Sequence, residues 1–370
     1  MLDQSKIAEL NKIAKQMVAP GKGILAADES MNTVGKRFSS INLENTEDNR
    51  RAFREMLLTI PGEGEFISGV ILFDETIRQK TSDGRSFVEV LKSEGILPGI
   101  KVDQGLADFG TAGEKVTKGL DGLSDRLKEY VALGAKFCKW RSVITISDGK
   151  ATSPDLSLGG EGKSSVLPTD ENIRQNAKDL AAYALVCQEN GLVPMVEPEV
   201  LIDGDHTIVQ AEDASTRVLT ALFEELKNAG VAPEGIILKT SMIISGKGAA
   251  KQSSPQEVAE ATVRVFKKVL PEYLAGEAFL SGGQGDVQAT ENLNAIHQLG
   301  QLPWPVTFSY ARALQDAATK TWKGLPENLA AAQKVFLHRA KMNSLASQGK
   351  YNSEMEKGFT FSDSATVTQD

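Results

Sequence analysis

Residues 137–144 read FCKWRSVI, residues 193–200 read VPMVEPEV, and residues 99–103 read GIKVD. Each is a short apolar run with two charged residues spaced two apart: Lys139 and Arg141, Glu197 and Glu199, Lys101 and Asp103. Side chains alternate across a β-strand, so residues two apart share a face. Cys138 and Trp140 therefore face away from Lys139 and Arg141. One charged pair in a strand is explained by an edge or a solvent-facing side. Three consecutive strands with such pairs, of mixed sign and near the strand ends, fit a charged and mutually neutralised barrel mouth better.

Five further runs extend the pattern in both directions. They are Gly23–Asp28, Gly69–Glu75, Gly235–Met242, Ala278–Ser281 and Pro305–Tyr310. Helical periodicity fills the gaps. Asp121–Gly134 aligns Leu123, Leu127, Tyr130 and Val131. Asn176–Gln188 aligns Ala177, Leu180, Ala181, Ala184 and Leu185, and Asp213–Asn228 aligns Val218, Leu219, Leu222, Phe223 and Leu226. Ser254-Pro255-Gln256-Glu257 carries a capping-box signature with Pro at the first helical position. Eight strands alternating with helices predict an α/β fold, a single (β/α)8 TIM barrel with an N-terminal helical extension. An open doubly wound sheet is the structural rival. No G-x-G-x-x-G follows the first run, which weakens a dinucleotide-binding version of it. The barrel domain is expected over 1–348. A Ser/Thr-rich, mobile tail is expected over 349–370, and a Gly/Ser/Pro-rich surface loop over 147–168.

Composition bounds the function. A chain of 370 residues allows two or three domains at ~150 residues each, or one large barrel. The formal net charge of −8 argues against general nucleic-acid binding but leaves a local anion site open. Two cysteines, Cys138 and Cys187, fit a reduced, cytoplasmic protein. The opening MLDQSKIAEL lacks the apolar core of a secretory signal, and no apolar run is long enough to span a membrane. His206, His297 and His338 are scattered and form no zinc-ligand spacing.

Ligands of such barrels bind at the C-terminal ends of the strands. Asp28, followed by Glu29 and Ser30, ends the first run, and Asp74-Glu75 ends the second. Lys239 follows four apolar residues in the sixth run. An amine there loses hydration, and neighbouring cations disfavour its charged form further, which leaves free amine for imine formation with a carbonyl. Pairing with Glu197 or Glu199 as a structural lysine is the competing account. Ser281-Gly282-Gly283 follows the seventh run, and Ser309 and Arg312 lie at the eighth, where barrels commonly hold phosphate. Lys36-Arg37 offers a second anion site, or a solvated helix end.

The stretches GKGILAADES, GIKVDQG, KWRSVI, VPMVEPE, GIILK, FLSGGQ and TFSYARALQ together resemble class I fructose-bisphosphate aldolase from about residue 10 to about residue 350. The resemblance implies reversible cleavage of fructose 1,6-bisphosphate to dihydroxyacetone phosphate and glyceraldehyde 3-phosphate. It implies no cofactor and no metal, a homotetramer, and cytoskeletal partners besides the phosphorylated sugars. It makes Lys239 the imine-forming lysine, Glu197 the general acid/base with Glu199 beside it, Asp28 the base for the C4 hydroxyl, and Lys139 a stabiliser of charged intermediates. Ser281, Gly282 and Arg312 would bind the 1-phosphate, with Ser309 nearby. Ser30, Lys36, Arg37 and Lys101 would lie toward the 6-phosphate, and Arg141 in the same mouth. Arg50, in NTEDNRR, is carried over with them. Two departures stand out: Ala311 replaces a frequent glycine, and the sequence closes TVTQD where many animal relatives have a Tyr, its last Tyr being Tyr351. Two rivals remain at this point: a metal-dependent aldolase, and a phosphosugar-binding or scaffolding barrel without turnover.

Overall fold

A computed structural model describes residues 3–147 and 166–357. Eight parallel strands close into a barrel: β1 (Gly23–Ala27), β2 (Ile67–Leu72), β3 (Leu97–Lys101), β6 (Phe137–Ile144), β7 (Val193–Val200), β8 (Ile237–Thr240), β9 (Gly276–Phe279) and β10 (Val306–Tyr310). β10 pairs back onto β1 through Ile24↔Ser309 and Leu25↔Tyr310. The two remaining strands, β4 (Leu106–Asp108) and β5 (Lys115–Thr117), form an antiparallel hairpin after β3. The open-sheet rival is thus excluded.

Two cores follow from strand alternation. The outer core lies between strands and helices and contains Cys138 and Trp140, which face away from the mouth as expected. Trp140 stacks on Tyr183 at a centroid distance of 5.5 Å, and Cys138 lies against Cys187 of helix Asp170–Glu189. The inner core fills the barrel bottom with Ile24, Ala26, Ile71, Phe137, Met195, Ile237 and Ala278. The N-terminal helix Gln4–Met17, capped by Asp3, closes that end with Leu10, Ala14 and Met17. The barrel is therefore plugged below and open only where the strands end. Gly99 is required there by close approach: a Cβ would lie 2.2 Å from the Phe137 ring.

Several expected boundaries shift. Asp74 and Glu75 do not end β2 but open the short helix Asp74–Arg78. The helix expected at Asn176–Gln188 starts earlier, at Asp170, with Thr169 as its cap. Val131 sits on the solvent side of helix Leu123–Leu133, although its neighbours Leu127 and Tyr130 are buried. Ser254 does form the capping box with Glu257, and Pro255 is the first residue of that helix. Of the expected tail, residues 349–357 are described, and two of them, Tyr351 and Glu356, are held against the barrel domain. Tyr351 is buried, its N–H donates to Asn294, and its hydroxyl bonds Glu356, which also binds His338 and Arg339. Residues 358–370, and 148–165 of the expected loop, lie outside the described residues. Among those described, no helix is long and apolar enough to cross a membrane.

Phe137 is fully buried at the barrel axis beside Gly69 and Gly99. Phe137→Ala should cost about 3–5 kcal/mol, because that cavity cannot collapse inside a closed ring of strands. Thermal unfolding of the two proteins checks this; an unchanged midpoint would contradict a packed barrel bottom.

Candidate active site

A cavity of about 1180 Å³ occupies the C-terminal mouth of the barrel. At its floor four charged side chains alternate in sign. Asp28 Oδ2 accepts from Lys139 Nζ at 2.6 Å, Lys139 lies 3.1 Å from Glu197 Oε2, and Glu197 Oε1 lies 3.0 Å from Lys239 Nζ. Asp28, Lys139, Glu197 and Lys239 are 8, 4, 3 and 3 % exposed. Four strands, β1, β6, β7 and β8, each supply one or present it at their end. A single unpaired charge at this depth would be strongly destabilising, and the alternating chain removes that penalty.

Burial would by itself raise the Asp28 carboxyl, but Lys139, Lys239 and Lys101 overcome it and hold the group well below the usual carboxylate range. Glu197 behaves likewise, with burial outweighed by Lys139, Lys239 and Arg141. Burial would lower Lys139, yet Asp28, Glu197 and Asp103 raise it above an ordinary lysine. Around this floor Arg141 pairs with Glu199, and Lys101 with Asp103 at 2.6 Å. Burial would lower Arg141, but Glu199 outweighs it and keeps the guanidinium firmly charged.

The rim is chemically different. Ser281 to Gly283 form a turn with φ of +57° at Gly282 and +91° at Gly283, values glycine adopts freely. Gln284 N–H donates back to Ser281 O at 2.8 Å. Beside the turn, helix Arg312–Trp322 begins, with Ala311 as its cap residue at φ −102°. That backbone does not need glycine, so Ala311 fits. Ser309 Oγ is buried in the cavity wall and has no hydrogen-bond partner among the described residues. Among the described residues Arg312 makes no side-chain hydrogen bond or ion pair. A glycine turn, a helix N-terminus and a guanidinium side by side are groups of the kind that can hold an anion.

A model of the fructose-bisphosphate aldolase class I family matches residues 9–369. The chain belongs to the class I fructose-bisphosphate aldolases. A probable class 1 aldolase of Xanthomonas campestris is 52% identical over 347 residues, covering 93% of this chain and 99% of that one. A fructose-bisphosphate aldolase of Dictyostelium discoideum is 49% identical, with 96% of both chains covered. A cytosolic fructose-bisphosphate aldolase of Arabidopsis thaliana is 48% identical, with 97% of this chain and 88% of that one covered. The Plasmodium falciparum aldolase, solved with TRAP and a small-molecule inhibitor, superposes with a TM-score of 0.89 at 46% identity. That match covers 95% of this chain and 97% of the other. The activity is accordingly that of a carbon–carbon lyase of glycolysis, and the barrel without turnover is not supported.

Against this aldolase frame, Ser30, Lys36, Arg37, Lys101, Arg141, Glu199, Ser281, Gly282, Ser309 and Arg312 all line the cavity with the four floor residues. Arg50 does not. Its Nε donates to Glu75 at 2.8 Å and its Nη2 at 2.6 Å, joining two peripheral helices. Arg37 lines the mouth but is gripped from behind: Glu29 at 2.7 Å and Gln315 at 2.5 Å hold its guanidinium. Buried Arg54 holds Glu29 in turn at 2.6 Å. Arg54 and Gln315 carry no local motif, and only the assembled fold brings them to Arg37. Asp316, Lys320 and Thr33 also line the cavity and escaped the sequence reading.

The floor makes a pH-dependent prediction. Asp28 and Glu197 are depressed, so their contribution to stability is complete above the ordinary carboxylate range and is lost as pH falls through their folded values. Lys139→Met strips both of their bridging cation and should cost about 3–5 kcal/mol at pH 7. Most of that deficit should disappear near pH 3, below the ordinary carboxylate range, where the wild-type contribution of the two depressed carboxyls is being lost. Denaturation curves at both pH values test it; equal losses at the two would contradict the electrostatic account.

Proposed function

We propose that cleavage of fructose 1,6-bisphosphate proceeds through an imine on Lys239. The observation that carries this reading is the ion-paired series Asp28–Lys139–Glu197–Lys239, placed beside the glycine turn and Arg312. Lys239 Nζ adds to the C2 carbonyl, and Glu197, 3.0 Å away, takes the amine proton. The proton that addition leaves on the nitrogen passes to the alkoxide oxygen, Glu197 returns the first proton to the resulting carbinolamine hydroxyl, which leaves as water, and the iminium forms. Lys139 between Glu197 and Asp28 stabilises the negative charge that develops during these transfers. Asp28 removes the C4 hydroxyl proton, the C3–C4 bond breaks, and its electrons pass into the iminium as an enamine. Glyceraldehyde 3-phosphate departs. Protonation of the enamine at C3 and hydrolysis release dihydroxyacetone phosphate.

Ser281, the amide of Gly282, Ser309 and Arg312 hold the 1-phosphate, close to the imine carbon. Ser30, Lys36, Arg37 and Lys101 meet the 6-phosphate across the mouth, with Arg141 and Glu199 orienting the intervening hydroxyls. The three scattered histidines leave a metal-dependent aldolase without a ligand set, and this chemistry calls for neither metal nor cofactor. A homotetramer in the cytoplasm completes the reading, supported by the likeness to cytosolic aldolases and by two buried free cysteines. A barrel domain over 1–348 and an enamine step independent of a terminal Tyr belong to the same proposal. Tyr351 supports the latter, since it packs against Asn294 and Glu356 and does not line the cavity.

Lys239→Met should lower kcat at least about 10³-fold, and Glu197→Gln about 10²–10⁴-fold, with both proteins folded. A coupled assay for triose phosphate, run also with excess EDTA, decides this. Near-normal turnover by Lys239→Met, or loss of wild-type activity in EDTA, would overturn the reading. Truncation after residue 357 should leave kcat within about threefold, a factor worth under about 1 kcal/mol; collapse would place a catalytic group beyond that point.

A further inference from the structure

We infer that Lys247 is a second cation of the phosphate subsite beside Ser281–Gly283, and that it sets affinity for the phosphoryl group held there. The inference deepens the reading above and rests on its assignment of that subsite.

Lys247 lies in the loop that follows β8. Three successive amides fix this loop onto the one that follows β7. Gly246 N–H donates to His206 O at 2.8 Å, Lys247 N–H to Ile202 O at 2.8 Å, and Gly248 N–H to Gly204 O at 2.7 Å. A Cβ on Gly246 would meet Gly204 O at 2.4 Å, so the two loops are in close contact. From this fixed base the Lys247 side chain extends over the glycine turn. A Cβ on Gly283 would lie 2.7 Å from Lys247 Nζ and 3.0 Å from Arg312 Nη2. Two cations, one from a loop and one from the first turn of a helix, therefore converge on one glycine. Like charges so close repel each other. A dianionic phosphoryl group bound by the turn would reverse the sign of that interaction.

The partner Lys247 has in this structure is easily exchanged. Asp203 Oδ1 lies 3.4 Å from Nζ, and the two side chains are 71 and 48 % exposed. An exposed pair of this geometry contributes little. Asp203 therefore competes with the ligand phosphate for Lys247. Spacing in sequence gives no sign of this, because Lys247 lies eight positions past Lys239 in a Gly-rich turn.

Three variants test the inference in the full chain: Lys247→Met, Lys247→Arg and Asp203→Asn. Lys247→Met should raise KM for fructose 1,6-bisphosphate and Kd for inorganic phosphate about 5–20-fold, the range expected for one charge-assisted contact, with kcat changed less than twofold. Lys247→Arg should stay within about threefold of wild type, because the charge is kept. Asp203→Asn should tighten phosphate binding and flatten its dependence on salt, since the competing carboxylate is gone. Unchanged KM and phosphate Kd in Lys247→Met would overturn the inference, as would a loss expressed in kcat alone. Titration of inorganic phosphate by calorimetry needs no turnover. If wild type fails to cleave the bisphosphate, the parent reading fails, and the phosphate titration still decides Lys247.

Discussion

Glu197 bridges two ammonium groups, Lys139 and Lys239, and the rest of the mouth is arranged around that bridge. Burying an amine makes it useful as a nucleophile only if a base can take its proton, and burying a base requires a cation to hold it. The floor meets both demands with the same four groups. Asp28 closes one end and Lys239, the proposed nucleophile, the other. Because the charges of these four groups cancel, they can lie in the floor of a barrel whose bottom is sealed by Phe137 and the N-terminal helix. The strands fix the spacing. Arg141 stands opposite Glu197 in the β6–β7 register, and Lys139 opposite Met195, so the pairs are staggered as well as alternating.

Away from the floor the charges do different work. At one side the Ser281–Gly283 turn and Arg312 line the mouth, where the phosphate site is proposed. At the other, Arg37 is already clamped by Glu29 and Gln315, with Arg54 behind. The first side adapts to the ligand, with Lys247 at its edge, while the second presents a preformed cation whose position is set by buried partners. Preorganisation of that kind lowers the ordering cost of binding. The chain carries eight more acidic than basic residues in all, yet its mouth gathers cations, because net charge describes the surface as a whole and not the site.

Much of this was legible from local pattern. FCKWRSVI and VPMVEPEV are strands at the expected residues, since alternation of charge with apolar side chains survives only where one face meets a polar cavity and the other a packed helix layer. The ends of β2 were misread because Asp74 and Glu75 continue an apolar run, although they begin a helix that turns Glu75 toward Arg50. Arg50 itself came with a family motif and is a bracket between helices. Arg54, Gln315 and Lys247 could not be found by spacing. Each acts through a partner more than 20 residues away, and such contacts exist only once the barrel has closed.

In the proposed mechanism Lys239, alone among the lysines of the floor and rim, carries the covalent step. Borohydride reduction in the presence of dihydroxyacetone phosphate, followed by peptide mass mapping, tests it most directly. The account predicts one stable adduct on the peptide containing Lys239, absent without the ketose and in Lys239→Met. An adduct on Lys139 or Lys101, or no adduct while cleavage proceeds, would contradict it.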